Sequence, residues 1–415
     1  MKRKLLKQIS KEWQSNLWLV VELIIVGAAM AGILTLLVST LGVRFQPAGY
    51  EVTDAYEVSL RYINQSSPDY TQYEDKSKYD DDVYTLMERI RQLPEVEHLA
   101  YGQNALPFNY NFNGSSYISI LDEDTLKLGS LNRRVMSPEY PIILNMHGLR
   151  GETPEQLSKM LENGEILVTS TLWNNDRELT GDDAGRYVQK SKKDSVLYRI
   201  GAVIPGFKRV DFEQPGPAII MSPASRRMKL RNVSSFVVKL KPGSAESFEK
   251  AIKDNPDRWA IDNTYITEVT PVDRIRSIAN RENNQQIAGT VVCSLFLLLS
   301  IFLGLLGTFW FRTGQRTVEI AIRLVNGATR RQIFARLMTE GIILWLCSLP
   351  FISAIMIMIY KYDLMASFVY IEVKKSMIMS TCITAAALLL MILVGILFPA
   401  VRAMKTDPAI ALKDE

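Results

Sequence analysis

Cysteine and histidine are scarce in this sequence of 415 residues, which has three cysteines and two histidines. All three cysteines, Cys293, Cys347 and Cys382, lie inside long apolar runs, so the region 43–286 contains none. Disulfide bonds therefore cannot stabilise that region. A region of this length can bury enough apolar surface to fold on a core of its own.

Sequence patterns of common enzymes are also missing. His98 and His147 lie in no H-E-x-x-H pattern, and the sequence has no G-x-S-x-G. It likewise lacks G-x-x-x-x-G-K-[ST], the loop that holds nucleotide phosphates. We therefore predict no catalytic residue, no metal site and no cofactor bound directly to this chain.

Lysine and arginine are absent from four apolar runs, 17–42, 287–311, 342–360 and 377–400. Each run is close to the ~20 residues that a helix needs to cross a bilayer. A soluble protein is excluded, and four transmembrane helices are predicted. The first run is longer than the apolar part of a signal peptide, and no A-x-A cleavage pattern follows it, so we interpret it as an uncleaved anchor.

The distribution of basic residues predicts the orientation in the membrane. The amphipathic segment 1–16, the loop 312–341 and the tail 401–415 carry fourteen lysines and arginines, against three in the hairpin 361–376. Because basic residues concentrate in cytoplasmic segments, both termini and the middle loop are predicted to be cytoplasmic. The region 43–286 is then predicted to lie on the extracytoplasmic side of the membrane. The positive net charge reflects this orientation and does not indicate a nucleic-acid partner.

The external region alternates between strand-like and helix-like segments. Two similar βαβ-type units are predicted, one around a helix at 81–93 and one after a strand at 234–240. Short β-rich pieces within 126–225 predict an inserted subdomain. The polar stretch 64–82 is typical of a mobile surface loop. The predicted fold class is an α-helical membrane protein with four transmembrane helices and a large extracytoplasmic α+β domain.

The loop 312–341 has the pattern of two helices separated by a tight turn. In the first helix Glu319 and Arg323 form an i,i+4 pair, beside an apolar stripe of Val318, Ala321, Ile322 and Val325. Gly327 supplies a helix stop, and Thr329 with Gln332 has the spacing of a capping box. Such an amphipathic helix either lies among lipid headgroups or offers a docking surface to a cytoplasmic protein.

Two cytoplasmic segments carry a family resemblance. RTVEIAIRLVNGATRRQIF closely resembles the signature that follows the second membrane helix of MacB/FtsX/LolC-type ABC permeases. FPAVRAMKTDPAIALKDE resembles the terminal signature of the same permeases. The order of one helix, a large external domain and three helices extends the resemblance to essentially the whole chain.

The resemblance implies a mechanotransmission permease in a bacterial inner (cytoplasmic) membrane, with the large domain in the periplasm. It implies a homodimer or heterodimer of permeases, each docked on a cytoplasmic ABC ATPase that binds ATP and Mg. It also implies an external domain with porter and sabre-like parts, and a periplasmic or outer-membrane partner. This chain has no fused ATPase domain, so the ATPase is expected to be a separate chain.

Site residues are carried over from the resemblance by motif. The ATPase-coupling residues are Glu319, Ile322, Arg323, Gly327 and Ala328, and the tail motif comprises Pro399, Asp407, Pro408, Ala409 and Leu412. Small residues at four-residue spacing permit close helix packing and predict a dimer face that includes Gly27, Ala31 and Gly304.

Two further interpretations concern the membrane region and the general function. Glu22 is the one acidic residue in an apolar run, and it either sits at the cytoplasmic interface or has a functional role. A membrane sensor or receptor is the alternative function, with the external domain binding a signal and relaying it to a docked partner. A receptor, however, needs a cytoplasmic output, and the longest predicted cytoplasmic piece is the loop 312–341.

Overall fold

The computed structural model describes residues 13–108, 114–119, 127–172, 178–190, 196–315, 322–323, 325–365 and 373–405. The chain divides into two compact units. The membrane unit comprises Met1–Val43 and Asn284–Glu415, and the external unit comprises Arg44–Asn283.

The helices and strands are numbered in chain order. The helices are α1 (Trp13–Phe45), α2 (Ser77–Arg91), α3 (Tyr140–Ile143), α4 (Pro154–Glu162), α5 (Pro223–Arg226), α6 (Ala245–Lys253), α7 (Val272–Ala279), α8 (Arg281–Gln315), α9 (Arg330–Lys361) and α10 (Val373–Lys405). The strands are β1 (Ala55–Tyr62), β2 (Val96–Gln103), β3 (Gly114–Ser119), β4 (Lys127–Met136), β5 (Ile166–Thr169), β6 (Tyr187–Gln189), β7 (Tyr198–Ile204), β8 (Ala218–Met221), β9 (Ser235–Leu240), β10 (Ala260–Ile261) and β11 (Thr264–Pro271).

Four helices of the described chain, α1, α8, α9 and α10, are long and apolar enough to cross a membrane. Each contains one of the four apolar runs. They share a buried core that includes Leu23, Leu305, Leu344, Ile352 and Leu388. Inside this unit the hydroxyls of Thr35 and Ser380 lie 2.6 Å apart, which joins α1 to α10 through a buried hydrogen bond.

An antiparallel sheet of five strands, in the order β10-β11-β1-β9-β2, forms one half of the external unit. The chain passes β1-α2-β2 and later β9-α6-β11, so the two predicted βαβ-type units are both present. This is the split βαβ arrangement of ferredoxin-like folds. One sheet face packs on α2 and α6 in a core that includes Val58, Leu86, Ile90, Phe236 and Phe248.

The second half of the external unit is a closed ring of six strands. Strand β4 pairs with β3, and the pairing continues through β6, β7, β5 and β8 back to β4. Its strands lie between β2 and β9 in sequence, as the prediction of an inserted subdomain requires. The ring begins at Gly114 rather than near 126.

Side chains alternate between two cores along the ring strands. Ile219 and Met221 of β8 belong to a cluster with residues of β4, β5, β6 and β7. Ala218 and Ile220, the alternate positions, pack with residues of β2, α3 and α4. The ring therefore has a core of its own and a second face that packs against the rest of the unit.

The predicted mobile loop at 64–82 is wrong in part. Helix α2 begins at Ser77, so the second part of the stretch is helical. Its first part is bonded to the turn before β11, where the buried Asn263 side chain exchanges two hydrogen bonds with the backbone of Thr71. The polar composition predicts a loop, and it cannot reveal hydrogen bonds to a residue that lies far away in sequence.

Candidate functional site

The turn before α9 has the geometry of a helix stop. Gly327 has a φ of +86°, and the Ala328 N–H donates to the Arg323 carbonyl over 3.0 Å. A left-handed glycine followed by this long backward bond is the Schellman motif, which ends a helix and redirects the chain. The predicted stop at Gly327 is confirmed.

Helix α9 starts immediately after this turn with the predicted capping box. The Gln332 N–H donates to Thr329 Oγ1 over 3.3 Å, and the Thr329 N–H donates to Gln332 Oε1 over 3.1 Å. Ala328 also packs against Ile333. The turn is therefore fixed by backbone geometry, by side-chain caps and by an apolar contact.

Apolar side chains on the short segment before the turn are exposed. Ile322 is 46% exposed and Val325 is 64% exposed, although their neighbour Ala328 is packed. The structure thus brings together Ile322, Arg323, Gly327 and Ala328 of the predicted coupling set. Glu319, and with it the predicted ion pair to Arg323, lies outside the described residues.

The tail motif is described only at its first residue. Pro399 lies within α10, which continues to Lys405 instead of ending near the proline. A proline removes one backbone donor but is tolerated in membrane helices, and Pro350 lies inside α9 in the same way. Asp407, Pro408, Ala409 and Leu412 lie outside the described residues.

The three residues of the predicted dimer face have different surroundings. A Cβ placed on Gly27 would lie 2.4 Å from Ile352 Cδ1 and 3.0 Å from Leu388 Cδ1, and Ala31 is fully buried. Both residues are therefore used for packing inside the chain, which corrects their assignment to a dimer face. A Cβ on Gly304 would meet no atom within 4 Å, so Gly304 alone of the three stays a candidate.

Glu22 has a hydrogen-bond partner within the membrane unit. The Thr308 hydroxyl donates to Glu22 Oε1 over 2.9 Å and so joins α1 to α8. A polar group in this environment is stabilised by such a bond, which is worth about 0.6 kcal/mol on average in membrane proteins.

A further element, which the sequence did not indicate, holds together the two ends of the external unit. We call residues 205–213, between β7 and β8, the root segment. Lys208 binds the incoming chain, because its Nζ donates to the Gln46 carbonyl over 2.7 Å and its N–H to the Ala48 carbonyl over 3.0 Å. The same segment binds the outgoing chain, because Asp211 Oδ2 accepts from Arg276 Nε at 2.9 Å and from Asn280 Nδ2 at 3.1 Å.

A glycine at position 49 allows this close approach. Gly49 has a φ of +82°, and a Cβ on it would lie 2.5 Å from the Gly206 carbonyl oxygen. A larger residue at position 49 would meet both a strained backbone and the root segment. The segments that follow α1 and precede α8 are therefore both bound by one short loop.

A fully buried arginine contacts the root segment. Arg134 of β4 is 1% exposed, its guanidinium carbon lies 4.1 Å from the centre of the Phe207 ring, and its Nη1 donates to the carbonyls of Asn104 and Ala105. Burial lowers the pKa of Arg134 to about 10, so the side chain is still charged at neutral pH. The sequence gives no sign that Arg134 is buried, because an arginine in a strand can be either buried or exposed.

Comparison with known proteins bears on the family of the carboxyl-terminal part of the chain. Residues 291–408 match the family model described as FtsX-like permease C-terminal. The carboxyl-terminal part of this chain is an FtsX-like permease domain. A comparison with curated proteins found no match. Among solved structures, the periplasmic region of MacB from Actinobacillus actinomycetemcomitans is similar, with 12% identity and a TM-score of 0.30, covering 56% of this chain and 95% of that chain.

The FtsX-like permease domain includes all of α9, most of α8 and the turn between them. Ile322, Val325 and Gly327 therefore lie inside it, as does Pro399. In the described residues no group of three or more His, Cys, Asp or Glu side chains could hold a metal ion.

Proposed function

We propose that this chain is the permease subunit of an ABC transporter, and that a separate cytoplasmic ATPase moves its external unit. The observation that carries the proposal is the FtsX-like permease domain at 291–408. The ATPase supplies bound ATP and Mg, since this chain lacks the phosphate-binding loop. A second permease copy, identical or different, completes the assembly.

The location proposed is the inner membrane of a bacterial cell, with the external unit in the periplasm. The support is the excess of basic residues in 1–16, 312–341 and 401–415 over the hairpin 361–376. This orientation puts the turn at Gly327 in the cytoplasm, where an ATPase can reach it. It puts the external unit where a periplasmic or outer-membrane partner can contact it.

The coupling surface proposed is formed by the exposed Ile322 and Val325. Apolar residues at the centre of a protein interface lose water on binding and carry much of the binding energy. The Schellman turn and the capping box fix the position of this surface at the start of α9. A displacement of the docked ATPase would therefore be transferred to α9 instead of being absorbed by a flexible loop.

Exchange of one apolar side chain tests the surface. Val325→Ser in the tagged full chain is expected to weaken association with the ATPase by about fivefold or more, as for truncated interface residues. The control is Val196→Ser, the same change at an exposed position of the external unit. The measurement is the amount of Walker-A-containing protein that co-purifies from membranes, quantified by mass spectrometry.

Two results would contradict the proposal in different ways. Recovery of no ATPase with either the wild type or the variants would reject the ABC subunit. Equal recovery with Val325→Ser and Val196→Ser would retain the subunit but reject this surface.

A further inference from the structure

Five buried polar atoms without a hydrogen-bond partner belong to residues that contact the root segment or Arg134. They are Gln46 Oε1, Tyr50 Oη, Asn104 Oδ1, Arg134 Nε and Arg134 Nη2, and they make up more than half of such atoms in the described chain. Buried polar groups in proteins nearly always have partners, so a cluster of this kind indicates a bound polar species.

The geometry of Arg134 specifies what that species would be. Its Nη1 is occupied by backbone carbonyls, whereas Nε and Nη2 are unpartnered. These two nitrogens form one edge of the planar guanidinium, and that edge presents two parallel N–H donors. This is the arrangement that binds two oxygens of one anion.

Tyr50 supplies a third donor next to the same ring. Its ring centre lies 4.7 Å from that of Phe207, and its hydroxyl is buried without a partner. Burial raises the pKa of Tyr50 above its usual range, so the hydroxyl keeps its proton and can donate. Tyr50 and Arg134 both contact the ring of Phe207, which places them in one neighbourhood.

The local charge balance favours an anion over water. The nearby carboxylates are already paired, Asp211 with Arg276 and Glu213 with Arg209. Among the described residues no carboxylate forms an ion pair with Arg134. A buried charge without a counter-charge is costly, and a bound anion would remove that cost.

We propose that the Nε–Nη2 edge of Arg134, together with the Tyr50 hydroxyl, binds a small free oxyanion of carboxylate type. Because Arg134 is 1% exposed, a carboxylate on a protein or lipid cannot reach the edge without unfolding the surrounding loops. The bound ion would join β4, the incoming segment at Tyr50 and the root segment. Its presence would therefore stabilise the end of the external unit where the chain enters and leaves.

A formate titration of the full chain in lipid nanodiscs tests this site. Formate replaces a bulky sulfonate at constant ionic strength, and circular dichroism of the strand signal follows thermal unfolding. The expected result is a saturable rise of the midpoint, by about 5–10 °C at a hundredfold excess over Kd. Tyr50→Phe keeps the ring but loses one donor and should weaken formate binding about tenfold or more.

Two further variants separate the site from general salt effects. Arg134→Met should abolish the formate response, whereas Tyr187→Phe, the same change as Tyr50→Phe at an exposed position, should respond like the wild type. If Arg134→Met does not fold, the comparison of Tyr50→Phe with Tyr187→Phe still decides. The proposal is overturned if the wild type unfolds identically in formate and sulfonate, or if Tyr50→Phe responds like the wild type.

Discussion

Asp82 of α2 is a buried carboxylate. It is 1% exposed, accepts a hydrogen bond from the Tyr73 hydroxyl through Oδ2, and has no hydrogen-bond partner at Oδ1. Lys78 lies 3.8 Å from Oδ1 but is half exposed, so its compensation is weak. Burial raises the pKa of Asp82 above its usual value.

The raised pKa determines the sign of the pH dependence. The protonated form is favoured in the folded state, so the stability from this group is fully present below the unfolded pKa of about 3.9. That stability is lost as the pH rises through the folded pKa. Asp82→Asn removes the titration, so the variant should be at least as stable as the wild type at pH 7 and less dependent on pH above about 4.

Tyr73→Phe is the complementary change. It leaves the buried carboxylate without its donor and should cost about 1–3 kcal/mol at pH 7. The double variant should recover most of this loss, because a neutral amide needs the donor less. Thermal unfolding of the four proteins at pH 5 and pH 7 measures the coupling. A loss of stability in Asp82→Asn larger than that in Tyr73→Phe would contradict this account.

At the level of elements, glycines control how closely the membrane helices pack. Gly27 of α1 lies against α9 and α10. A Cβ placed on Gly341 of α9 would lie 2.5 Å from Ile396 Cδ1 and 2.9 Å from Ile392 Cγ2, both of α10. Gly304 of α8 has open space in the chain. The first two positions need glycine for packing inside the chain, and the third does not.

The variants Gly27→Ala and Gly304→Ala form a matched pair. Gly27→Ala should destabilise the membrane unit by about 1–3 kcal/mol, because the added methyl overpacks a closed contact. Gly304→Ala should leave the stability unchanged within about 0.5 kcal/mol. Unfolding in nanodiscs with increasing denaturant compares them. If the two variants are equally stable, the close packing of α1 on α9 and α10 is wrong.

The sequence predicted those elements whose signals are local. The four apolar runs, the stop at Gly327 and the capping box of Thr329 with Gln332 each depend on residues a few positions apart. The root segment could not be predicted, because Lys208 contacts Gln46 and Asp211 contacts Arg276 across long stretches of chain. Burial of Arg134 was missed for the same reason, since its carbonyl partners lie about thirty residues away. The predicted dimer face is wrong at Gly27, because four-residue spacing shows that helices can pack closely but not which helix packs there.

At the scale of the whole molecule, the external unit has all the features of an autonomous domain. It contains three apolar cores and, with its cysteine-free sequence, requires no oxidation. A fragment of residues 44–283 should therefore be soluble and monomeric, with mixed helix and strand signal in circular dichroism. Its unfolding midpoint should be the same with and without a reducing agent. An unfolded fragment at low temperature would show that the membrane helices are needed to complete its core.

The position of the six-stranded ring within the split sheet sets an order for biogenesis. Strand β1 is flanked by β9 and β11, so it has no neighbour until residues 235–271 have been synthesised. The ring strands, in contrast, all come from residues 114–221. Contacts between residues that are close in sequence form faster. We therefore expect the ring to fold before the strands that pair with β1 have been synthesised. Until then both edges of β1 are unpaired, which is the condition under which a strand associates most readily with other chains.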